Sequence, residues 1–98
     1  MNPNTTAREI KLAYRLFAAA RDAEQEAFDE LQSVEAAGGD VSELEPAWNA
    51  LVEICEAARD KLQDALQNIG IDRSTSFRMI VCPQYSGRLE DIVSRLVA

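Results

Sequence analysis

"VEAAGGDVSELEPAW" (residues 34–48) decides the fold. Its paired glycines, Gly38 and Gly39, end whatever helix precedes them, because glycine enters the left-handed conformation without a Cβ penalty. The second half starts another helix. Ser42-Glu43-Leu44-Glu45 has the form of a capping box, and Pro46 suits a first turn, where its missing N–H is not needed. Two helices joined by so short a connection run antiparallel, side by side.

Both flanks carry the matching periodicity. Upstream, Ile10, Ala13, Phe17, Ala20, Ala27, Leu31 and Val34 recur at helical spacing, with Glu24 as the one polar member. Leu16 and Phe28 widen that stripe to the breadth a packed helix needs. Thr6-Ala7-Arg8-Glu9 offers a capping box, so the first helix is predicted over about 6–37. Downstream, Leu44, Trp48, Leu51, Cys55, Ala58, Leu62, Ala65 and Ile69 alternate spacings of four and three without a break, a coiled-coil-like seam. Asn68-Ile69-Gly70-Ile71 reads as a Schellman ending, which places the second helix over about 43–69.

The tail reads differently. "STSFRMIVCP" is rich in β-branched and aromatic residues, which predicts a short strand or extended segment over about 76–82. Ser86 then caps a short C-terminal helix over about 87–97, with Leu89, Ile92, Val93 and Leu96 on one face. The expected fold class is mostly α, a long antiparallel helical hairpin plus this tail, in a single helical domain over 1–98.

Composition narrows the chemistry. Apolar residues make up 47% of the chain, enough to build one core. No apolar stretch reaches the roughly 20 residues of a membrane span, and "MNPNTTAREI" has no signal-peptide core, so a cytoplasmic protein without membrane contact is expected. Histidine is absent, which removes Ser-His and Cys-His couples and imidazole metal ligands. Cys55 and Cys82 fit no zinc or redox spacing, and Cys55 and Trp48 share the apolar seam, where packing is their expected role. Paired acids such as Glu24 and Glu26 do not share a helix face, and no Glu-x-x-His pair exists. No catalytic, cofactor-binding or metal-ligating residue is assigned, and no enzymatic activity is expected.

One motif argues the other way. Cys82 and Arg88 have the Cys-x5-Arg spacing of the cysteine-dependent phosphatases, which the segment resembles over seven residues. In that family the thiolate attacks phosphorus while loop N–H groups and the arginine hold the oxygens. Pro83 removes an N–H where the cradle would begin, and Leu89 stands where the family has Ser or Thr. The phosphatase is therefore only an alternative.

Charge carries more. The net charge is −7 and unevenly placed. Residues 1–21 set four bases against Glu9 for a net +3, whereas residues 22–64 set thirteen acids against Arg59 and Lys61 for a net −11. An antiparallel hairpin folds the second stretch back on itself, so one end is acidic and the end holding the termini is basic. Such a field repels nucleic acid and attracts basic surfaces. The expected partner is a protein with a basic, nucleic-acid-binding type of surface, met by Asp22, Glu26, Asp29, Glu30, Glu56, Asp60 and Asp64. In size and composition the chain is similar to phage-encoded inhibitors of bacterial defence, anti-CRISPR proteins among them, which implies a small inhibitor or regulator. The alternative is a helical homodimeric adaptor, because the helix-two seam and an unpaired strand both invite a second copy. A homodimer is expected in either case.

Overall fold

The computed structural model describes residues 3–96, with side chains for all of these except residues 3–5, 83 and 86. Two long helices, α1 (Pro3–Ala36) and α2 (Leu44–Gln67), form the hairpin, and two short ones, α3 (Arg73–Val81) and α4 (Pro83–Arg95), follow. The envelope measures 53 × 24 × 21 Å.

Each glycine of the turn has its own task. Gly38 has φ +78°, and the N–H groups of Gly38 and Gly39 donate to the carbonyls of Glu35 and Val34, a Schellman motif. At Gly39 the demand is space, since a Cβ there would sit 2.7 Å from the Val34 Cγ1. Past the turn, Asp40 accepts hydrogen bonds from the Ser42 N–H (2.9 Å) and hydroxyl (3.0 Å). That engages Ser42 with Asp40, so the Ser42 capping box does not form and α2 opens without a side-chain cap. The other end of α2 is as the sequence indicates. Gly70 has φ +85°, and Ile71 and Gly70 donate to the carbonyls of Leu66 and Gln67. Thr6 does not stand at a helix start: α1 is already helical at Pro3, and Thr6 lies buried inside it.

Register along the hairpin follows from a few contacts. Trp48 meets Glu24 and Phe28, while Ile54, Ala57, Ala58 and Lys61 line one groove with Ala13 and Leu16. The core lies toward the end that holds the termini. Ile10 and Phe17 pack with Leu62, Ala65 and Leu66, and Met79, Leu89 and Val93 close over them.

The strand predicted over 76–82 is a helix. Asp72 caps α3, its Oδ1 accepting from the Thr75 N–H at 2.7 Å. Ser76 and Met79 are buried and Ile80 packs against the core, a helical spacing. The physical reason is backbone satisfaction. A solitary strand leaves its N–H and C=O groups unmet, whereas a helix pairs them within the segment. Against that, the helix-propensity penalty of β-branched and aromatic residues is at most about 0.7 kcal/mol each. The second correction is that α4 starts at Pro83, not 87, with residue 86 inside the helix. It ends at Arg95, with Leu96 as its C-cap, and residue 97 of the predicted range lies outside those described. Its buried side, Leu89 and Val93 with Ile92 and Leu96 beside them, is the face read from the sequence.

Among the described residues no helix is long and apolar enough to cross a membrane.

Candidate functional site

The Cys-x5-Arg spacing does not form a loop. Cys82 is at once the C-cap of α3 and the N-cap of α4, and residues 83 to 88 are helical. A helix, not a strand, precedes the cysteine. The Tyr85 N–H donates to the Cys82 carbonyl (2.9 Å) instead of turning toward an anion, and Arg88 is exposed. A phosphate cradle needs converging loop N–H groups beside the thiolate, and the helix directs them along its axis. Cys55 is half-buried on the seam, where burial first and then the Glu24 carboxylate push its thiol up, away from the reactive thiolate.

Glu24, the one polar break in the α1 stripe, has a specific use. Its Oε1 accepts from the Trp48 indole N–H at 2.8 Å, and the Trp48 ring lies 5.4 Å from Phe28. An indole N–H turned into the hairpin needs an acceptor, and Glu24 supplies it. Both anticipated seam residues, Trp48 and Cys55, are thus partly covered rather than sealed.

All seven acids singled out from the sequence are exposed, but the structure does not bring them together. Asp22, Glu26 and Glu30 follow one another at helical spacing along α1, with Asp29 beside them. Glu56, Asp60 and Asp64 do the same along α2. Trp48 lies opposite Glu24 and Phe28, so the α1 strip sits toward the turn and the α2 strip toward the termini. They are two strips on two arms.

The α2 strip is also partly neutralised. Arg73, at the start of α3, forks its guanidinium between Asp60 Oδ1 (2.8 Å) and Asp64 Oδ1. The Gln63 amide donates to the Arg73 carbonyl (3.2 Å), and the Arg59 guanidinium lies 5.5 Å from the Phe77 ring centre. These contacts fasten α3 to α2 and make Asp60 and Asp64 structural partners of Arg73. Sequence reading misses this because Arg73 reaches them only through the position of α3. Asp22 lies 3.9 Å from Arg21, a long pair between exposed groups that contributes little. Asp29 accepts from the Gln25 amide at 3.0 Å.

Among the described residues no three acids or cysteines stand close enough to hold a metal ion. No protein-family model matches this chain, and no curated protein or solved structure matches it.

Proposed function

We propose that this chain acts by binding another protein, docking the acidic part of its hairpin on a basic surface of the kind that binds nucleic acid. Such docking would inhibit or regulate the partner by occupying that surface. The observation that supports this reading is the separation of charge along the hairpin. Glu26, Asp29 and Glu30 present exposed carboxylates toward the turn, while Arg8 and Arg15 stand exposed toward the other end, where Glu56 also lies. A convergent field of one sign raises encounter rates and selects partners of opposite sign. Support is weaker at Asp60 and Asp64, whose charge Arg73 shares. Small acidic inhibitors encoded by phage offer a parallel in size and charge.

The test is capture of the partner by immobilised protein across a salt series, with two sets of reversals compared. Glu26→Lys, Asp29→Lys and Glu30→Lys together should abolish capture and leave the helical spectrum intact, because exposed charges contribute little to stability. Arg8→Glu with Arg15→Glu should matter far less. Capture that survives the acidic reversals undiminished at low salt overturns the reading. The alternative of a homodimeric adaptor draws on a different surface, the exposed Leu12, Leu16 and Ile54.

A further inference from the structure

Helices α3 and α4 cover one side of the hairpin and leave the other bare. On α1 the bare side carries Leu12, Leu16, Ala19 and Ala23, a second seam with its own alternation of four and three. Leu12 and Leu16 are 58% and 52% exposed. On α2 it carries Ala50, Ile54 and Ala57 at the same kind of spacing, with Ile54 56% exposed. Between the arms lies an apolar groove of about 270 Å³, lined by Ala13, Leu16, Ile54, Ala57, Ala58 and Lys61. Leu12 lines an adjoining groove that shares Ala13, Leu16 and Lys61 with this one, so three large aliphatic side chains more than half exposed form a contiguous patch of the kind that marks an interface.

We propose that a second copy of this chain covers this face, antiparallel to the first, so that two hairpins form a four-helix layer with the α3–α4 pairs on its outer sides. Charge complementarity selects the occupant. The spacing of the α1 seam is the same in both directions about its midpoint: setting Leu16 against the second copy's Ala19 sets Leu12 against its Ala23. In that register the exposed Arg8 of each copy falls beside Glu26 of the other, and Arg15 within a turn of Asp22. The same two-fold brings Lys61 on the groove rim alongside Glu53 of the other copy's α2. Residues 1–21 of each copy, net +3, thus lie along the part of its mate's α1 that carries Asp22, Glu24, Glu26, Asp29 and Glu30. A parallel pair would stack acidic half on acidic half, which like-charge repulsion opposes. Such an arrangement is isologous and closes on itself, as a two-fold dimer must. It uses neither the predicted strand, which is a helix, nor the α2 seam, which packs within the hairpin.

The experiment is mass in solution over a concentration series with the full chain alone, so it needs no other partner and stands apart from the docking test. A dimer is expected. Leu16→Lys, and separately Ile54→Lys, should weaken it by at least about tenfold while leaving helix content unchanged, because both side chains are exposed in one copy. Arg8→Glu with Arg15→Glu should weaken it too, and adding Asp22→Arg with Glu26→Arg to the same chain should restore it. That rescue is specific to the antiparallel register. A monomer at high micromolar concentration in low salt overturns the proposal. So does a dimer that survives both lysine substitutions, and so does a four-fold charge swap that fails to restore pairing.

Discussion

The two ends of the hairpin are built by different means. Toward the termini four helices meet, and Ile10, Leu62 and Leu66 lose all contact with solvent. Toward the turn only two helices run side by side, and there Leu31 alone among the larger described side chains is buried. What holds the turn end is specific rather than bulky: the Trp48–Glu24 hydrogen bond, the Phe28 ring and the two-glycine turn. A two-helix ribbon cannot enclose a side chain on all sides, so burial there stays partial. The difference teaches that close packing is segregated to one end of the molecule. There the exposed Asp60 and Asp64 of α2 are held beside Arg73, while the exposed Glu26, Asp29 and Glu30 of α1 sit on the loosely packed end. The well-packed end anchors the fold, and the thin end is left free to carry acids.

The largest expected effect tests that segregation directly. Leu66→Ala should cost about 2–5 kcal/mol in urea unfolding, since the side chain is wholly buried and α3 and α4 limit collapse around the cavity. Leu51→Ala, on the α2 seam but half-exposed, should cost about 1–2 kcal/mol. Equal losses at the two sites would mean that the turn end is sealed as tightly as the other and would break the comparison.

That seam is legible in the amino-acid sequence because its period never falters from Leu44 to Ile69. The turns at either end of α2 are legible for a similar reason, Gly38 and Gly70 each being required at a positive φ. The tail is not. Its β-branched composition favours a strand, and what reverses that choice is non-local: the buried faces of Ser76 and Met79 on α2, and Gln63 and Arg73 pinning the first turn. The local clue is Asp72, three residues before Thr75, a cap signature hidden in a stretch whose composition points to a strand. The acidic residues are legible as exposed, but their division into two strips depends on which turn of α1 faces which turn of α2. The bare apolar side is hidden for the same reason, since Leu16, which the periodicity assigns to a widened core stripe, lies more than half exposed.

An intermediate effect sharpens what the turn end relies on. Trp48→Phe keeps most of the ring packing on Phe28 and removes the indole donor, leaving the half-buried Glu24 carboxylate without it. The expected loss is about 1–2 kcal/mol. Combining it with Glu24→Leu should recover part of that loss, because the stripe on α1 then becomes apolar throughout and no acceptor is stranded. Strict additivity of the two changes would show that the hydrogen bond contributes nothing beyond its neighbours.

The smallest effect compares the two ends through one titration each. Asp72, at the α3 N-terminus, and Asp40, at the turn, both have carboxyls held below the usual value of 3.8, each chiefly by a backbone N–H, from Thr75 and from Ser42. A depressed folded value means that the contribution is present above about pH 4 and is lost as pH falls through the folded pKa, where the carboxylate is protonated and stops accepting. Asparagine caps as well as aspartate but does not titrate in this range. Asp72→Asn should therefore keep α3 in place at pH 7 and flatten the fall in stability between pH 4 and lower values. Asp40→Asn should flatten it as well, but the local signal should come from the turn, read as amide exchange at residues 38–45, while α3 amides stay protected. If either asparagine variant lost stability at pH 7 with an unchanged acid slope, that aspartate would be acting through its neutral contacts and not through its charge.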